Sequence, residues 1–302
     1  MGNRQRVTLM AMLVAATNAY ALGQGEAILR VDRLALDNGQ GTPFTLGSFA
    51  SLQVSSVFGN SGYIGPPEHG GMWQYSSSLG NADLPAICGF GHGGQSCNPV
   101  LQNYFAPFSD AAYTFHYADY DNSDQQLRGQ LLADTPSSLA IDTRGDVGIE
   151  HEAPGGKYGS ESTADMTLTF RLAHPDRLRL SFDADPYTKV WHNGAHTDLT
   201  SEVRFTATLT NATTGETVFS FAPGDINFRN RVYNDFVVLD PAAASYDITS
   251  ALLNDADQYQ LVISQYAGSY NGAGAPPVPE PSQWAMLGAG LGLLTWTRRR
   301  RR

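Results

Sequence analysis

The groups in this chain best placed to do chemistry are carboxylates, and they are densest in Asp119-Tyr120-Asp121-Asn122-Ser123-Asp124. Asp119, Asp121 and Asp124 offer the hard oxygen ligands that calcium takes, at the spacing that opens a calcium loop. An EF-hand is excluded, because Asp124 stands at the sixth position, where the turn needs Gly, and Gln130 at the twelfth, where a bidentate Glu belongs. A looser oxygen cage, drawing also on Asp183 and Asp185, remains open beside solvated turn carboxylates. Glu150-His151-Glu152 could supply a base or ligands, yet in a strand the middle residue faces away from the other two. Before Pro154-Gly155-Gly156 the triplet reads as loop surface. Trp73 and Trp191 lie in polar, Gly-containing surroundings, where an exposed ring could stack on a sugar, or where each ring could plug the end of the core.

Local catalytic signatures are missing. The chain has no Gly-x-Ser-x-Gly elbow, His-Glu-x-x-His, phosphate-binding Gly-x-x-x-x-Gly-Lys-Ser/Thr or dinucleotide fingerprint, and its seven histidines are scattered. Beyond the calcium option, no cofactor is expected. Cys88 and Cys97 are the only cysteines, and four glycines lie between them. In an exported chain they read as a disulfide contributing about 2 to 3 kcal/mol through loop closure. A metal site of both thiolates and His92 fits poorly, since zinc motifs place cysteines two to four residues apart and add a second pair.

The elements that must carry these residues are strands. Met166, Leu168, Phe170 and Leu172 alternate with polar neighbours, and Leu178, Leu180 and Phe182 do so after the break at His174-Pro175-Asp176. Period-two burial of this kind marks antiparallel strands with one wet face. Val203, Phe205, Ala207 and Leu209 repeat it. The turn residues 211–216 then lead to a partner strand through Val218, Phe219 and Phe221. Further strands are expected at 26–37, 51–58, 112–118 and 259–263. Residues 59–99, rich in Gly, Pro, Ser and Asn, read as a long irregular excursion, and only 242–253 looks helical, weakly. About ten short strands with almost no helix predict an all-β, antiparallel β-sandwich or jelly-roll-like body over 22–267, with a linker at 268–277. No fixed-period repeat argues for a solenoid.

Both ends read as addresses. Arg4 and Arg6 precede an apolar run from Val7 to Ala16, and Ala19 and Ala21 fit a signal-peptidase site, so 1–21 is expected to be a signal peptide. At the other end Pro279-Glu280-Pro281 leads into residues 282–297, which carry no formal charge, and then Arg298, Arg299, Arg300, Arg301 and Arg302. As one helix, 282–297 would span roughly 24 Å, short of a hydrocarbon core of about 30 Å. A short transmembrane helix is expected, with Trp284 and Trp296 at the interfaces and the arginines held on the cytoplasmic side.

Those three parts in that order, over 278–302, resemble the PEP-CTERM sorting signal of Gram-negative bacteria. The resemblance implies an exosortase that cuts near Pro279-Glu280-Pro281 and passes the body from transient inner-membrane anchoring toward the cell surface. A weaker resemblance, through Leu180 to Tyr187, Phe205 to Leu209 and Thr214 to Phe219, is to the body of some exosortase-dependent surface proteins. It supplies no activity.

The whole chain carries a formal charge of −10, but seven of its 19 basic residues lie in the two signals. The exported part keeps 12 basic against 29 acidic residues, a balance of −17 that disfavours nucleic acid and anionic lipid. The expected function is therefore a non-enzymatic surface or matrix module that associates with extracellular polysaccharide or neighbouring cells. The rival is a secreted polysaccharide hydrolase or lyase using dispersed carboxylates, which need no local spacing.

Overall fold

The computed structural model describes residues 23–65, 72–76, 80–90, 102–108, 120–149, 157–192 and 198–271. Strand makes up 71% of the structure and helix 3%, which settles the all-β class. The chain lays down β1 (Gly23–Asn38), β2 (Phe49–Gly65), β3 (Met72–Ser76), β4 (Ala82–Phe90), β5 (Tyr120–Gly129), β6 (Leu139–Ile149) and β7 (Lys157–Leu172). It continues with β8 (Leu178–His192), β9 (Leu199–Asn211), β10 (Glu216–Phe221), β11 (Phe228–Val232), β12 (Asp235–Leu239), β13 (Ala244–Thr249) and β14 (Tyr259–Asn271).

Two seven-stranded antiparallel sheets form a sandwich. The first runs β12-β8-β1-β6-β5-β4, with β13 also on β8; the second runs β10-β9-β14-β7-β2-β3, with β11 also on β9. The region before 134 supplies strands to both sheets, so it is part of one sandwich and not a separate unit. Alternation decides what each strand buries. Ala27, Leu29 and Val31 of β1 meet Met166, Leu168 and Phe170 of β7, Phe205 and Leu209 of β9, and Leu261 and Ile263 of β14 in the main apolar core. A smaller cluster of Val147, Ile149, Tyr158, Val190, Leu199 and Val232 lies apart from it.

A polar layer stitches the sheets together as well. Gln265 donates across the gap to the carbonyls of Leu29 (2.8 Å) and Ile141 (3.1 Å) and contacts Thr143 Oγ1 (3.0 Å). Ser160 donates to the Asp146 carbonyl, Ser269 to that of Gly145, and Gln125 to that of Thr163. Each bond uses a second lone pair of a strand carbonyl, so the buried polar side chains do not compete with the ladders. The backbones must come close for such short side chains to reach. A Cβ on Gly145 would lie 2.8 Å from Gly268 Cα and from the Ser160 carbonyl oxygen.

Several expectations are corrected. Residues 59–99 hold the end of β2, all of β3 and all of β4, because Gly59, Ser61, Gly62 and their neighbours pair as edge and close-approach positions that need no apolar alternation. Residues 242–253 contain strand β13, paired to β8 from Ala244↔Ala184 to Thr249↔Arg179, and no helix. The linker expected at 268–277 begins too early, since Gly268 to Asn271 complete β14. The strands β5 and β6 pass through sequence expected to be loop. The strand expected at 112–118, the signal peptide 1–21 and the C-terminal segment 278–302 lie outside the described residues. No helix among the described residues is long and apolar enough to cross a membrane.

Candidate functional site

The outer face of the second sheet gathers the densest set of polar and aromatic groups. In β7, Ala164 and Met166 face the core, so Glu161, Thr163 and Asp165 face outward. Register then sets a row across the sheet: Trp73 opposite Ser61, Ser61 opposite Glu161, Glu161 opposite Gly268, Gly268 opposite Glu202, and Glu202 opposite Arg229. A flanking row places Tyr63 opposite Gly159 and Gly159 opposite Tyr270. The glycines leave room for the rings: a Cβ on Gly268 would meet the Tyr266 hydroxyl at 2.3 Å, and one on Gly159 the Tyr63 hydroxyl at 2.5 Å.

Glu161 is 2% exposed, with Tyr63 at 9%, Tyr266 at 6% and Tyr270 at 8%. Among the described residues, neither carboxylate oxygen of Glu161 makes a hydrogen bond of ordinary geometry, and the Tyr63 hydroxyl makes none either. Burial pushes the Glu161 carboxyl up to about 7, against the opposing pull of the nearby Tyr266 hydroxyl and the charge of Arg204. Burial and the Glu161 charge also raise the Tyr63 and Tyr266 phenols. Glu202 is differently placed: it accepts from the Tyr270 hydroxyl at 3.0 Å and lies 3.3 Å from Arg204 Nε. Arg204 covers the Tyr266 ring at 4.3 Å and Arg229 approaches the Tyr270 ring at 5.5 Å, so two exposed cations border the site.

The residues singled out from sequence are distributed unevenly. Trp73 falls in the Glu161 row by backbone register, on edge strand β3. Trp191 lies on β8 of the other sheet, half-buried and paired with Gln24 and Phe236, so the two tryptophans do not share a sheet. Two of the calcium candidates, Asp121 and Asp124, point to opposite faces of β5. Asp121 projects into the sandwich against Gly62, while Asp124 accepts the Asn103 N–H on the outer face of the first sheet. One strand alternation separates them, and Asp119 lies outside the described residues. Among the described residues, no group of three or more His, Cys, Asp or Glu is placed to hold a metal ion. Cys88 is on β4 opposite Asn122, Cys97 lies outside the described residues, and no disulfide is seen among the described residues. Glu150-His151-Glu152 also lies outside them.

A second buried charge cluster sits on the outer face of the first sheet. Arg144, with no exposure, pairs with Glu26 (2.7 Å) and Asp146, and donates to the carbonyls of Tyr104 (2.9 Å) and Ala106 (2.8 Å). Its guanidinium lies 3.9 Å from the Phe108 ring centroid, and the Phe108 N–H returns to Glu26 at 3.0 Å. The carbonyl, ring and Phe108 N–H contacts clamp residues 104–108 onto the sheet, which marks the cluster as a structural clasp. Sequence reasoning missed both Glu161 and Arg144. Only the cross-strand register, invisible in local spacing, assembles their partners.

One part of the chain matches a known family. Residues 277–302 match the PEP-CTERM protein-sorting motif. The PEP-CTERM match includes Pro279, Glu280, Pro281 and the arginine block, and it indicates an exported, extracellular protein with a C-terminal membrane-anchored sorting signal processed by an exosortase. Neither the comparison with curated proteins nor that with solved structures found a match.

Proposed function

We propose that this is a non-catalytic module carried to the surface or matrix of a Gram-negative bacterium, where the outer face around Glu161 holds extracellular polysaccharide. Signal peptidase and exosortase are its partners during export. The observation that carries the reading is the enclosed Glu161 carboxyl, near the Tyr266 hydroxyl but with no hydrogen bond of ordinary geometry to either oxygen among the described residues, beside the Tyr63 hydroxyl, which likewise makes none among them. Sugar hydroxyls both donate and accept, so they would satisfy both groups once the side chains that enclose Glu161 turn aside, while Arg204 and Arg229 at the exposed border would donate to ring and glycosidic oxygens. The −17 body favours neutral polymers over polyanions.

A second reading, a polysaccharide hydrolase, is favoured by the unlike environments of Glu161 and Glu202. One carboxyl is held protonated by burial, and the other is paired with Arg204, the division of roles that a general acid and its partner need. Two strand spacings of about 4.8 Å place their α-carbons about 10 Å apart. Retention of the exported protein on a panel of neutral polysaccharides decides between the readings. Binding without turnover, lost at least tenfold in Glu161→Ala, is expected. Turnover abolished by Glu161→Gln with binding kept would establish the hydrolase, and no retention on any polymer would remove the polysaccharide reading.

A further inference from the structure

Strand β12 ends the first sheet and pairs on one side only among the described residues, from Asp235↔His192 to Leu239↔Thr188 of β8. Natural edges are usually blunted by charge, proline or bulges, because an open row of N–H and C=O groups recruits another strand. Edges β4, β10, β11 and β13 follow that rule through Pro85 with Asp83, Glu216, Arg229 with Arg231, and Asp247. In β12 the one charge is Asp235 at its first residue, and the run Phe236-Val237-Val238-Leu239 that follows carries neither charge nor proline.

It is also where exposed apolar side chains concentrate. Phe236 is 54% exposed, Val238 and Leu239 39% each, and Tyr233, just before the strand, 55%. Val237 packs against the smaller core cluster. Alternation therefore turns Phe236 and Val238 to the outer face, beside half-buried Trp191.

We propose that β12 is a self-association edge, pairing antiparallel with β12 of a second copy across a two-fold axis at Val237. The sequence is self-complementary in that register. Phe236 faces the second copy's Val238 on the outer face, an aromatic to β-branched pair, and Asp235 faces its Leu239, so no like charges stand directly opposite. A two-fold contact uses the same patch on both copies and closes on itself. It joins the two first sheets into one continuous sheet and covers both Phe236 and both Val238 side chains. The −17 bodies repel, so the pairing strengthens as salt rises.

Sedimentation equilibrium of the exported protein at low and high salt tests this. A monomer–dimer equilibrium that tightens with salt is expected. Phe236→Lys, at a site already exposed, should weaken it at least tenfold while the melting temperature of the monomer stays unchanged. Directly opposed α-carbons in an antiparallel pair lie about 4.5 to 5.5 Å apart, within disulfide reach, so Val237→Cys should give a covalent dimer on mild oxidation. A wild type that remains monomeric in high salt, a dimer that Phe236→Lys leaves intact, or β12 capturing only unrelated extended peptides would each overturn the proposal.

Discussion

At the scale of single residues, Glu161 and Arg144 show two fates for a charge taken out of water. Arg144 is met by two carboxylates, two carbonyls and two rings, so its desolvation is offset on every side. Glu161 is compensated only in part, by the Tyr266 hydroxyl and the Arg204 charge, and burial keeps it protonated to about pH 7 instead of 4.5. Asp124 is raised in the same direction, also to about 7 and also chiefly by burial. The sign follows from proton binding. The folded state holds these protons where the unfolded chain has lost them, so the stabilisation is complete below the unfolded pKa and is lost as pH rises to about 7. For Glu161 the shift is worth roughly 3 kcal/mol. Glu161→Gln removes one of these two titrations, so it should make the fall in stability between about pH 5 and 7 shallower, with the Asp124 part remaining. Above that window it should melt higher than the parent. Thermal melts across that range check this, and a variant as pH-sensitive as the parent would show that Glu161 is ionised in the fold.

At the scale of elements, the close approach of the sheets is the feature least tolerant of change. A methyl on Gly145 would press on Gly268 Cα and on the carbonyl oxygens of Ser160 and Ala267, all backbone atoms that cannot rotate aside. Gly145→Ala should cost about 3 kcal/mol in chemical denaturation. Gly215→Ala, whose turn sits at φ 80° with nothing within 4 Å, should cost only about 1 kcal/mol, from the left-handed backbone alone. The same contrast explains which strands could be read from sequence. β7, β8, β9, β10 and part of β14 were legible because one face is apolar and the other wet, as in Met166 to Leu172. β5 and β6 were not, because the polar layer replaces the apolar face: Asp121, Ser123, Gln125 and Thr143 point inward where Leu or Val would have announced a strand. β13 was hidden by an Ala-rich start, and its pairing to β8 overrides that weak helical preference. The Glu161 site was illegible for a related reason, since its members come from six strands whose order in the sheet does not follow the chain.

At the scale of the whole molecule, the matched sorting signal begins beyond the last described strand. Among the described residues, the last of the main apolar core is Ala267 and the last paired is Asn271, and the PEP-CTERM match begins at 277. A cut near Pro279-Glu280-Pro281 would therefore remove none of the described strands and none of the described core side chains, whereas losing even the last pairs of β14 would expose both of its neighbours, β7 and β9. Removal of the tail also strips the arginine block and leaves a strongly acidic body that anionic surfaces repel. The protein recovered outside the cell should accordingly lack Arg298 to Arg302 by intact mass, and should melt at the same temperature as a chain that retains them in detergent. Replacing the five arginines by serine should leave the body uncut, because nothing then holds the short apolar segment at a fixed depth with its charged end on the cytoplasmic side. Cell fractionation with mass analysis reads both outcomes together. An extracellular form still ending in arginines would mean that the body reaches the surface by a route that does not process this signal.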